Sequence, residues 1–209
     1  MRKAYIDKGI ADVPALIRRG LTDAMKKELE AIKAAYGGDF QYGGFNPRPM
    51  KDAQYRYRLG TISEHGTGTA VDIESKRNPI LSSAEWAFIE QLTGKKVDST
   101  LHRWKSAPDA VWTDVKALND EFVKKVAAKV KEIEDAAKAA APAAGKPAGK
   151  PVSAIDQVLG SQPKLKDYKD GFFTLEQKLV KLLHDHGFTW GVTFRYGKSP
   201  SADLHHFEL

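Results

Sequence analysis

The chain has 209 residues, 42% of them hydrophobic and 29% charged, the balance of an ordinary soluble protein with one sizeable domain, and no apolar run approaches the length needed to cross a bilayer. It has no cysteine, which excludes disulfides, thiolate metal sites and cysteine nucleophiles, so any metal must be held by His, Asp or Glu. A net charge of +6 favours an anionic partner but does not choose among nucleic acid, a membrane surface and a bacterial wall.

The opening "MRKAYIDKGIADV" starts with a basic pair, but no apolar stretch follows and Asp7 interrupts it, which argues against a signal peptide. Leu21, Met25, Leu29, Ile32 and Tyr36 recur at three- and four-residue spacing and predict a helix from about Asp12 to Tyr36, stopped by Gly37 and Gly38. A region rich in Gly, Pro and aromatics follows. In it "YRYRL" reads as an edge strand and "TAVDI" as a buried one. "LSSAEWAFIEQLTG" predicts a short helix with a Ser82–Glu85 capping box and a Gly94 cap. The next helix is longer, with Val111, Val115, Leu118, Phe122, Val126, Val130 and Ile133 on one stripe and lysines opposite. It runs into "AAKAAAPAAGKPAGKP", a tract with the composition of a flexible linker. "TLEQKLVKLLHDHGF" predicts a last helix between Thr174 and Gly187, and two short strands and a turn complete the chain. Helices and strands are segregated, which predicts an α+β fold; residues 76–170 read as a helical insertion ending in a tether within a single domain, 1–209.

The chemistry concentrates in "SEHGTGTAVD" and "SADLHHFEL". On an unbroken strand, His65 and Asp72 would face opposite sides; Gly66 and Gly68 can break the strand and reverse that phase. The pair fits a hydrogen-bonded hairpin or a metal site. A catalytic zinc needs three protein ligands and an open position, and the second segment offers a third in His206, with Asp203 three residues before it. If "HHFEL" is a strand, His206 and Glu208 share one face, and His205 faces the other way, toward the surface. His102, His184 and His186 have no placed partner.

These residues resemble a family of bacterial cell-wall zinc peptidases: the D-alanyl-D-alanine carboxypeptidases, the vancomycin-resistance D,D-dipeptidases and the L-alanyl-D-glutamate endopeptidases of phage endolysins. Ser63, His65, Gly68, Ala70 and Asp72 match the pattern SxHxxGxAxD, and Asp203, His206, Phe207 and Glu208 match DxxHFE. "GGFNPRPM" is similar to the arginine segment and "GFTWG" to the segment before the second motif. The likeness covers about 43–72 and 187–209. It implies one zinc ion on His65, Asp72 and His206, Asp203 as general base, Arg48 as active-site arginine, and the antiparallel sheet with flanking helices shared by these peptidases and the Hedgehog signalling domain. Arg56 and Arg58 are alternatives to Arg48. Gly66, Thr67 and Val192 stand where the family often carries an aromatic and a second glycine, which bears on substrate preference.

Such a site joins a metal that acidifies water to a carboxylate that moves its proton. Ser63 reads as a turn or supporting hydroxyl, Glu208 as a partner of a ligand histidine or a solvated strand residue, and Trp190 as lining the peptide cleft or filling the core. The expected substrate is the peptidoglycan stem peptide, cut by an L-alanyl-D-glutamate endopeptidase of endolysin or antibacterial-effector type. The alternatives are a D-alanyl-D-alanine carboxypeptidase and a non-catalytic zinc-containing wall-binding module. Lysines of the long helix can serve a solvated face or anionic wall polymers. Nucleic acid is not expected as a partner, since aromatics do not interleave with a basic stripe. Access to the wall would come through holin-type release or a dedicated secretion machine.

Overall fold

The first helix, α1 (Asp23–Tyr36), starts at Thr22, whose hydroxyl accepts the Met25 amide at 3.0 Å. Thr22 itself is extended, with ψ 156°, so this helix begins at Asp23 rather than running on from residues before it. Gly37 closes α1 in the left-handed conformation, as its position after the last apolar residue predicted. The computed structural model describes residues 21–44, 49–51, 57–139, 152–196, 199–200 and 202–209. The start of the expected first helix, Arg48, Arg56 and most of the Ala/Pro/Gly/Lys tract lie outside the described residues.

Three short strands follow: β1 (Tyr42–Gly43), β2 (Pro49–Lys51) and β3 (Tyr57–Ile62), the last two paired antiparallel. A one-turn helix, α2 (Glu64–Thr67), leads into β4 (Ala70–Ile73), where Ala70, Val71 and Ile73 are buried. After β5 (Ile80–Leu81) comes α3 (Ser83–Thr93), with both halves of the Ser82–Glu85 capping box formed and Gly94 at its end. Then come α4 (Leu101–Ser106) and α5 (Pro108–Ala139), which runs 32 residues. Its stripe is buried from Val111 to Val126; Val130 and Ile133 are half-exposed. α6 (Ala154–Leu159) and a 3₁₀ turn over Pro163–Tyr168 return the chain to the core.

α7 (Gln177–Asp185) ends near Gly187, at φ +87°. Thr174 does not cap it. Its amide instead donates to Asn78 Oδ1 at 2.8 Å. The last part holds β6 (Thr189–Trp190), a 3₁₀ turn over Gly191–Thr193, β7 (Arg195–Tyr196), β8 (Ser199–Pro200), β9 (Ala202–Asp203) and β10 (His206–Glu208), more strands than the two expected. Short irregular strands lack the alternating run that would announce them.

The central sheet has the order β1-β4-β10-β6, antiparallel throughout, and β9 pairs with β5 outside it. Trp190 and Phe207, cross-strand partners in β6 and β10, stack with centroids 5.9 Å apart, and Trp104 of α4 lies 5.6 Å from Trp190. Phe122 on α5 meets Phe172 at 5.5 Å, and Asn119 Oδ1 accepts the amides of Phe172 and Phe173 at 2.7 and 3.0 Å. Residues from 76–170 thus contribute to the same core as the sheet. Small antiparallel sheets set against segregated helices make the architecture α+β, the expected class. Among the described residues no helix is long and apolar enough to cross a membrane.

Candidate metal centre

The site is assembled by register. His206 of β10 is the direct antiparallel partner of Asp72 of β4, so their side chains emerge together on one face of the sheet. His65 arrives by a different device from the broken strand that the two glycines suggested. Ser63 caps α2, its hydroxyl accepting the His65 amide at 3.3 Å, and Gly68 closes the turn at φ +78°. Thr67 and Thr69 tie this turn together, donating to the Glu64 carbonyl at 2.8 Å and the Glu64 carboxylate at 3.1 Å respectively. A single helical turn therefore aims His65 back over β4.

Three donor atoms converge. His65 Nε2 is 3.0 Å from His206 Nδ1 and 3.2 Å from Asp72 Oδ1, and His206 Nδ1 is 3.6 Å from Asp72 Oδ1. Each imidazole has its other nitrogen engaged. His65 Nδ1 donates to the Gly44 carbonyl at 2.7 Å, and His206 Nε2 donates to Glu208 Oε2 at 3.1 Å. In the neutral rings, the two nitrogens that face each other are then lone pairs. Asp72 Oδ1 is buried and makes no well-formed hydrogen bond despite its short distance from His65. Lone pairs pointed at one another across 3.0–3.6 Å require a cation between them. Tetrahedral zinc with ligand bonds of about 2.0–2.1 Å has ligand–ligand edges of about 3.3–3.4 Å, so the donor set and its spacing fit the ion.

Electrostatics agree. Burial opposes charge on Asp72, but the imidazoles of His206 and His65 outweigh it and hold the carboxyl below the ordinary range. Burial likewise opposes charge on His206, yet Asp72 and Glu208 win and push its pKa up to about 9. Without a metal, a proton would take its place on His206.

Asp203 sits at the end of β9, where pairing with Ile80 of β5 fixes it. Its Oδ1 is buried without a well-formed hydrogen bond, 3.2 Å from His205 Nε2. Burial raises its pKa, only partly offset by the nearby histidines. Gly191 makes the close approach possible: a Cβ there would lie 2.4 Å from the Asp203 carbonyl oxygen and 3.1 Å from His206 Cβ.

One expectation is corrected. His205 is buried rather than at the surface, because it lies in the turn before β10 and strand alternation does not govern it. Its Nδ1 donates to the Asn78 carbonyl, and its Nε2 faces both Asp203 and, at 3.6 Å, Asp72. Of the two readings open for Trp190, the structure takes the core over the cleft: it is fully buried, with its Nε1 donating to the Leu204 carbonyl at 2.9 Å, and supports β10 from beneath. Ser63 and Glu208 touch His65 and His206 as described. Arg48 lies outside the described residues. Sequence reading missed Gly44 and Asn78, whose contributing backbone carbonyls leave no trace in residue type.

The family model for D-alanyl-D-alanine carboxypeptidase, a family of zinc-dependent peptidases, matches residues 58–209 and so spans His65, Asp72, Asp203 and His206, with Arg48 before it. No curated protein and no solved structure matches the chain. A match over most of the chain makes this a hydrolytic peptidase family at the level of sequence, and a His–Asp–His group able to hold a metal stands where that chemistry needs one. The chain belongs to the D-alanyl-D-alanine carboxypeptidase family.

Proposed function

We propose that the protein is a zinc-dependent peptidoglycan peptidase that holds one zinc ion on His65, Asp72 and His206 and uses Asp203 as general base. The observation that carries this reading is the set of three lone-pair donors 3.0–3.6 Å apart, with their outer nitrogens already satisfied, near a buried carboxylate. Zinc, when bound, supplies Lewis acidity toward water and the scissile carbonyl.

The remaining work falls to side chains. Gly44 and Glu208 fix the ring tautomers of His65 and His206. Asp203 takes a proton from the attacking water and delivers it to the leaving amine, a role worth about 10²–10⁴ in rate. Its raised pKa brings it nearer the pH at which it must both accept and release that proton. Arg48, by resemblance, binds a substrate carboxylate or the developing oxyanion. Ser63 acts through His65 rather than as a nucleophile.

Within the family we favour an L-alanyl-D-glutamate endopeptidase of endolysin or antibacterial-effector type, on the strength of "GGFNPRPM" followed by "SEHGTGTAVD". It would work as one domain with residues 76–170 as an insertion, reaching the wall by holin-type release or dedicated secretion. The description of the matched family favours a second reading, D-alanyl-D-alanine carboxypeptidase. Mass spectrometry of purified peptidoglycan after digestion separates them. New amino-terminal glutamate marks the endopeptidase and released alanine the carboxypeptidase; no product from zinc-loaded protein would sink both. Asp203→Ala should keep its zinc and lose hydrolysis, and an Asp203→Ala protein as active as the parent would remove Asp203 from the mechanism.

A further inference from the structure

Asp72 is the exposed member of the donor group. Its side chain is 33% exposed, against 4% for His65 and 9% for His206. The group therefore opens toward the cleft that Asp72 lines, a cavity of about 410 Å³ between β1 and the turn after β4. That turn brings Glu74, Lys76 and Arg77 to the cleft wall. The Glu74 carboxylate is already engaged, accepting the Gln41 amide at 2.8 Å. Lys76 and Arg77 are exposed, and no carboxylate among the described residues pairs with either.

The turn is anchored. Glu74 adopts φ +49°, a left-handed conformation that a non-glycine residue keeps only when its surroundings impose it. Its carbonyl accepts the Arg77 amide at 3.1 Å and Asn78 Nδ2 at 2.9 Å, and fully buried Asn78 is itself held by the Thr174 amide. Two cations thus leave a fixed piece of backbone beside the one metal ligand that faces solvent.

We propose that Lys76 and Arg77 form an anion subsite of this cleft, one that takes a carboxylate of an acidic peptide at a position away from the scissile amide. The inference deepens the peptidase reading and rests on it for the ligand being a peptide. Arginine supplies a planar fork for a carboxylate and lysine a mobile point charge, so the pair suits an acid and has no comparable use for an amide.

The test is isothermal titration calorimetry on zinc-loaded Asp203→Ala protein. The probes are the tripeptide L-alanyl-γ-D-glutamyl-L-lysine and the same peptide with its carboxyl groups converted to carboxamides. The acid should bind about tenfold tighter than the amide, a preference that shrinks in high salt. Adding Lys76→Gln and Arg77→Gln together should shrink the preference severalfold, to what Arg48 alone sustains, while leaving amide binding, zinc content and melting temperature unchanged. Equal binding of both peptides, no binding of either, or an undiminished preference in the double variant would overturn the subsite. Hydrolysis of peptidoglycan by the wild type is scored separately. Preference without hydrolysis removes the peptidase reading and leaves the anion subsite; hydrolysis without preference does the reverse.

Discussion

α5 and the central sheet make opposite use of their residues. The helix spends 32 residues and supplies none of the donor group, whereas strands of two to four residues carry Asp72, Asp203 and His206. A long helix satisfies its own backbone and needs partners only along one stripe. The sheet has no such independence, since His206 meets Asp72 only because β10 and β4 pair in one register. Stability and chemistry are therefore separable: damage to α5 should unfold the protein without changing what the folded fraction does, and damage to the sheet face should silence it without unfolding it.

His206→Ala should break the comparison hardest, abolishing both zinc binding and hydrolysis while circular dichroism stays folded; zinc retained at one per chain would show that this histidine is not a ligand. Next is Phe122→Ala, which empties a fully buried position on α5 and should cost about 3–5 kcal/mol in denaturant unfolding. Zinc affinity of the folded protein should not move, and a parallel loss of affinity would mean that the two halves are coupled. Glu208→Gln should lower zinc affinity by about 10–100-fold through the tautomer of His206, leaving stability nearly unchanged.

The smallest effect is pH-dependent. His206 in the metal-free protein, with its pKa pushed up to about 9, holds a proton at neutral pH that a metal must displace. Zinc binding at pH 7 should release it, and affinity should rise as pH climbs toward 9; calorimetry in buffers of different ionisation enthalpy reads the proton directly. The same protonation stabilises the metal-free fold fully below the unfolded value of about 6.5, and the contribution is lost as pH rises through 9. Heats independent of the buffer would contradict this assignment.

The same contrast explains what could be read from residues alone. The Ser82 capping box, the stripe from Val111 to Val126 and the Gly37 and Gly94 stops are local, and each appears where spacing put it. Matching two motifs to a family united His65, Asp72, Asp203 and His206 before any geometry was known, and the structure brings the first, second and fourth within 4.8 Å. Spacing failed where a side chain's direction depended on its turn. Alternation puts His205 on a strand that it precedes, and spacing alone leaves Trp190 open between the cleft and the core it fills. Thr174 stands at the predicted start of the last helix but lies before it and serves Asn78, a residue 96 positions away.

Leu204 and His205 are all that separates β9 from β10. The length of that connection decides which residue meets Asp72, because sliding a strand by one position turns every side chain to the opposite face. Gaining or losing a single codon there would present His205 or Phe207 in place of His206, even though the encoded amino acids stayed almost the same. Natural variation in this gene should therefore keep the length of this connection fixed.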